Sequence, residues 1–118
     1  VTYMDFMFRD AESFNQDISG WNVSSVTTME QMFYYATDFN QDIGDWDVSS
    51  VTDMRYMFAY ADSFDQDISD WDVSNVINME DMFYNAADLS DSNKCAIHTS
   101  FNSNENWPYD WEEYCSDD

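Results

Sequence analysis

Residues 39–58 read FNQDIGDWDVSSVTDMRYMF. Twenty-five positions earlier, residues 14–33 read FNQDISGWNVSSVTTMEQMF, and twenty-five positions later, residues 64–83 read FDQDISDWDVSNVINMEDMF. A catalytic site needs each of its groups once. A stack of equivalent units needs every group in every unit, so the repetition points to repeat architecture before any other feature is weighed.

Set at a period of 25, the chain falls into columns. Met4, Met29, Met54 and Met79 form one, and Met7, Met32, Met57 and Met82 another. Each member of the second is followed by Phe8, Phe33, Phe58 or Phe83. Further columns are Ala11, Ala36, Ala61 and Ala86; Phe14, Phe39, Phe64 and Leu89; Trp21, Trp46 and Trp71; Val23, Val48 and Val73; and Val26, Val51 and Val76. One such unit cannot bury its apolar face alone, but stacked on its neighbours it can. The methionines read as pliable core filler.

Within a unit the apolar period changes. Met29, Met32, Phe33 and Ala36 stand at i, i+3, i+4 and i+7, which predicts a short helix, with Ser24 and Ser25, or their counterparts, upstream as caps. Phe39, Gln41 and Ile43 alternate with Asn40 and Asp42, which predicts a short strand. Ser19-Gly20, Gly44-Asp45 and Ser69-Asp70 are turn pairs, after which Trp46 and Val48 point inward again. The expected fold is a repeat solenoid, α/β and leucine-rich-repeat-like, with a short helix and short strands per 25-residue coil. If the Ile-turn-Trp segment folds back on itself, the alternative is an all-β solenoid of stacked hairpin-like coils.

Residues 1–89 hold three and a half repeats, and Val1-Thr2-Tyr3-Met4 matches Val26-Thr27-Thr28-Met29, so the first coil reads as truncated, with more coils or a different cap expected upstream. Its open end is a candidate for end-to-end self-association. Residues 90–118 depart from the pattern and read as a C-terminal cap. Asn106 and Pro108 predict a helix start there, with Trp107, Trp111 and Tyr114 on one face. Cys95 and Cys115 are the chain's two cysteines. Paired, they imply an oxidising compartment; the other readings are two buried thiols, or zinc held with His98, which lacks the usual ligand spacing.

The pattern FNQDIS-x-W-[DN]-V-S-x-V-x-x-M-x-x-MF-x-x-A resembles the BspA-like surface-protein repeat, known also from mycoplasma lipoproteins and bacterial surface proteins. The resemblance covers residues 1 to 89. It implies kinship with leucine-rich repeats and an extracellular or cell-surface role in adhesion or binding. The chain departs from a leucine-rich strand in placing Asp42 and Ile43 at +3 and +4 from Phe39.

The 118 residues carry 25 acidic and 3 basic side chains, a net charge of −22. Nucleic acid and anionic membranes are disfavoured as partners by that charge, and no apolar run is long enough to span a bilayer. At 19% aromatic the chain is expected to fold rather than remain a disordered acidic tail.

Stacking would bring Asp17, Asp42 and Asp67 to about 5 Å from one another, at a cost of about 3 kcal/mol per contact for an effective dielectric of about 20. Asp45, Asp47, Asp70 and Asp72 form a second acidic group around the turn. Backbone donors in Asx turns answer that cost, as does salt screening. A structural calcium ion on these seven aspartates is a third answer, although no EF-hand loop is present. No other cofactor is expected.

The chain is expected not to be an enzyme, since a repeated carboxylate column lacks the asymmetry glycoside hydrolysis needs and His98 is the single histidine. Ice binding fails because Thr27, Thr28 and Thr52 give way to Ile77 and Asn78. The Trp column is a candidate for stacking on glycans, against packing on the Val column. The partner is therefore expected to be a protein or a glycan. Asn22-Val23-Ser24 matches a glycosylation sequon.

Overall fold

Backbone N–H groups account for the architecture of the repeats. In the computed structural model, which describes residues 1–115, alternate donors point to different places. Met29, Gln31, Phe33 and Tyr35 donate to the carbonyls of Asp53, Arg55, Met57 and Ala59 in the next unit. The intervening Met32, Tyr34 and Ala36 donate back three residues, to Met29, Gln31 and Phe33. The same alternation joins the first unit to the second and the third to the fourth, as in Phe8 to Met32 and Phe58 to Met82. Each unit thus lies in register on its neighbour, and parallel bridges link Tyr3, Thr28, Asp53 and Asn78 in turn.

This corrects the expected fold class. Among the described residues there is one α-helix, α1, over Asp91–Phe101, and one 3-10 turn, Glu112–Cys115, and no strand or sheet. The body is compact, with a radius of gyration of 13.2 Å and extents of 42 × 29 × 23 Å. Neither the helix-and-strand solenoid nor the all-β one is formed. The physical reason lies in the backbone. Gln31, Tyr35, Tyr56, Tyr60, Asp81 and Asn85 take left-handed φ values of 51–59°, and Phe6 and Asp10 take 62°. Two such residues per unit break any helical run. They also turn the intervening N–H groups back onto carbonyls of their own unit, where a strand would hold them extended. None of the eight is glycine, so the conformation carries a steric cost at each that the packing around it must exceed.

The inward positions form the core. Met29, Met54 and Met79, Met32, Met57 and Met82, and Phe33, Phe58 and Phe83 are all buried, as is Met4. The phenyl rings of Phe8, Phe33, Phe58 and Phe83 stack at 5.4–5.6 Å between centroids, and each of the first three also stacks within its unit on Phe14, Phe39 or Phe64 at 4.1–4.2 Å. In the first unit Met7 and Trp21 are exposed and Phe8 half-buried, as are parts of any face with a neighbour on one side alone.

A polar ladder runs beside this core. Asn15 Oδ1 accepts the backbone N–H of Asn40 at 2.8 Å, Asn40 Oδ1 that of Asp65 at 2.9 Å, and Asp65 Oδ1 that of Ser90 at 2.9 Å. Gln41 and Gln66 donate their side-chain amides to the same asparagine oxygens. Asn40→Ala removes the acceptor for two donors at once. It is expected to lower the unfolding free energy by about 1–2 kcal/mol in a urea titration. Asn40→Asp, which keeps the acceptor as Asp65 does, should lose less; equal losses for the two would refute the ladder's role.

The last unit is closed by residues that imitate a fifth. Phe83 N–H, whose counterparts reach the next unit's carbonyl, donates instead to the Tyr109 hydroxyl at 3.0 Å. Its ring meets Trp107, Tyr109 and Trp111 at 5.4–6.3 Å. Burial pushes the Tyr109 phenol up to about 12, against the pull of that N–H. Asn104 Nδ2 donates to the carbonyls of both Val73 and Val76 at 2.8 Å. Ser90 caps helix α1, its Oγ accepting from Asn93 N–H, and the helix buries Ile97, His98 and Phe101. The helix expected from Asn106 onward is not formed; Trp107 instead enters the core with its indole N–H on His98 Nδ1 at 3.0 Å.

Candidate binding surface

Asp17, Asp42 and Asp67 are exposed, and each Oδ1 accepts the backbone N–H two residues on, from Ser19, Gly44 and Ser69 at 2.8–2.9 Å. Asp47 and Asp72 make the same turn with Ser49 and Ser74, whose hydroxyls donate as well. Asp45 and Asp70 are exposed at the neighbouring position. Among the described residues no group of three or more His, Cys, Asp or Glu side chains is placed to hold a metal ion.

These turns have an acid signature. The serine hydroxyls, then the serine N–H groups, hold the Asp17, Asp47 and Asp72 carboxyls below their ordinary value of 3.8. A carboxyl lowered by folding favours the fold while ionised. The contribution is complete above the ordinary value and fades as pH falls through the lowered ones. Asn22 makes the identical turn with Ser24 in the first unit. The Asp47→Asn/Asp72→Asn variant should therefore keep its corners, match the parent at pH 7, and lose less thermal midpoint than the parent between about pH 4 and about pH 2. Parallel acid profiles would count against the assignment.

Of the Trp column, Trp21 in the first unit is 40% exposed, while the other two members face the core. Trp46 and Trp71 are 4% and 3% exposed, and their indole N–H groups donate to the carbonyls of Ile18 and Ile43 at 3.1 and 2.9 Å. His98 is buried too; its Nδ1 accepts from both Trp107 Nε1 and Trp111 N–H, so it serves the cap. Cys95 and Cys115 are joined in a disulfide that ties α1 to the 3-10 turn.

The surface that sequence columns did not isolate is made of tyrosines at the left-handed turns. Tyr35 and Tyr60 stack at 4.3 Å, Tyr34 meets Tyr60 edge-on at 5.8 Å, and Tyr84 meets Tyr60 edge-on at 5.5 Å. Tyr35 and Tyr84 are 38% and 48% exposed. The Arg9 guanidinium lies over Tyr34 at 5.3 Å and over Phe6 at 5.8 Å. Burial, then the neighbouring Tyr35 and Tyr84, push the Tyr60 phenol up. Beside it an open cavity of about 540 Å³ is lined by Tyr60, Asp62, Tyr84, Asn85, Tyr109 and Trp111, among others. Lys94 also reaches this cavity, with its ammonium over Tyr114 at 4.5 Å and Trp111 at 5.9 Å.

A family model described as Mycoplasma protein of unknown function, DUF285, matches residues 1–107. The chain belongs to the DUF285 family. The match takes in the repeats and α1, so in DUF285 terms the closing segment up to Trp107 goes with the repeats it covers. No curated protein and no solved structure matches this DUF285 chain. Among its described residues no helix is long and apolar enough to cross a membrane.

Proposed function

We propose that the chain is a non-catalytic module of the cell surface or the extracellular space, BspA-like in its repeats, that binds a basic protein partner. The observation that carries this reading is the fate of its cations. Against 25 acidic side chains stand three basic ones, and each is engaged within the fold: Arg9 on Tyr34 and Phe6, Arg55 on Asp53 and Glu30, Lys94 on Tyr114 and Trp111. The exterior is left with an uncompensated negative field, which favours a positive partner and accelerates its encounter. The disulfide suits an oxidising compartment, and the two hydrogen bonds that His98 Nδ1 accepts inside the cap support the non-catalytic reading.

The test is surface plasmon resonance on the immobilised chain with cytochrome c as a basic protein, ovalbumin as an acidic one, and a glycan array in parallel. Cytochrome c alone should bind, with an affinity that falls steeply as salt rises. Silence toward cytochrome c, with signal on the array, would overturn the reading in favour of a sugar.

A further inference from the structure

Two cation seats already exist on aromatic faces of this molecule, and a third face of the same kind is uncovered. Arg9, Tyr34, Ala59 and Tyr84 occupy equivalent positions in successive units. Arg9 projects from the first unit over the Tyr34 ring of the second. In the third unit the projecting residue is Ala59, buried and too short to cover anything, and the Tyr84 ring of the fourth is half exposed. Tyr84 continues through Tyr60 to Tyr35 as one aromatic strip, and Tyr60 and Tyr84 open with Asp62 and Asn85 onto the adjacent cavity.

We propose that Tyr35, Tyr60 and Tyr84, with the exposed Asp62 lining the cavity beside them, form a docking track for an arginine-rich segment of a partner protein, one guanidinium taking over Tyr84 the seat that Arg9 takes over Tyr34. A guanidinium stacks on an aromatic face and pairs with a carboxylate at once. Charge complementarity selects this occupant: the net charge is −22, and the Asp62 carboxylate lines the cavity beside Tyr60 and Tyr84. Lys94 lines the same cavity with its ammonium already placed over Tyr114 and Trp111, so it marks how the site treats a cation. The inference rests on the reading of the chain as a binder of basic partners and adds the place and the chemistry.

The probe is a fluorescein-labelled nona-arginine peptide, followed by anisotropy against the full chain. Tyr84→Ala should weaken it about threefold and Tyr35→Ala/Tyr84→Ala about tenfold, although neither changes the net charge. Asp62→Asn should weaken it about threefold, and Asp45→Asn, with the same loss of charge at a turn corner, by less than half of that. Thermal midpoints within a few degrees of the parent show that each variant is folded. Failure of the peptide to bind the parent chain overturns both the binding reading and the track. Binding that is unchanged in the tyrosine variants but weakened alike by Asp62→Asn and Asp45→Asn leaves the acidic-exterior reading standing and overturns the track.

Discussion

Phe58→Ala should remove about 4 kcal/mol of unfolding free energy, which for a chain of this size is a fall of about 15 °C in thermal midpoint. The ring has no exposed area. It stacks on Phe33 at 5.6 Å and Phe83 at 5.4 Å along the column, on Phe64 at 4.2 Å within the unit, and tilts against Trp71 at 6.3 Å. Removing it opens a cavity with stacked aromatic walls that cannot collapse without moving two neighbouring units. Phe8 occupies the same column but has a neighbouring unit on one side and is half-buried, so Phe8→Ala should cost about 1–2 kcal/mol. Urea titrations followed by tryptophan fluorescence give both numbers. Losses equal within error would mean that the column is not a continuous stack.

That column was legible because burial in this chain repeats with the sequence. Met29, Met32, Phe33 and Ala36 were read as inward-facing, and all four are buried. Their conformation was misread for an identifiable reason. Turns that bond each N–H three residues back present apolar groups at nearly the spacing of a helix, so the period alone does not separate the two. The residues that decide the matter, Gln31 and Tyr35, adopt left-handed angles without being glycine, and no turn chemistry announces them. The Asx corners were legible because Asp-x-Ser and Asp-x-Gly at a turn bring a carboxylate within reach of the second N–H. The cap helix was placed too late. Asn106 and Pro108 drew attention to residues 106–115, while α1 buries three side chains, Ile97, His98 and Phe101, too few to imprint a strong period on Asp91–Phe101. The tyrosine strip was missed because its members belong to two adjacent columns. Tyr34 and Tyr84 alternate with Arg9 and Ala59 in one; Tyr35 and Tyr60 are flanked by Asp10 and Asn85 in the other. A search for identity at the period passes over such positions, although variation on a constant scaffold is where specificity is built.

Loss of the disulfide is the second large effect. Cys95 and Cys115 close a loop of 20 residues in sequence, and opening it frees the unfolded chain by about 3 kcal/mol. The Cys95→Ser/Cys115→Ser variant should therefore melt about 10 °C below the parent. The consequence is local before it is global. The segment that the bond encloses supplies Asn104 to the carbonyls of Val73 and Val76, His98 and Trp107 to the cap core, and Tyr109 to the Phe83 N–H. With the cross-link gone, the segment is held by those contacts alone. Limited proteolysis should then cut first between residues 102 and 115, while Trp46 and Trp71, whose indoles bond to the preceding units, keep their buried fluorescence. Because Tyr109 and Trp111 line the cavity beside the tyrosine strip, the same variant should also weaken the nona-arginine peptide at temperatures where the repeats remain intact. A midpoint within about 2 °C of the parent, with no new cleavage, would show that the aromatic cluster on Phe83 holds the closing segment without help from the bond.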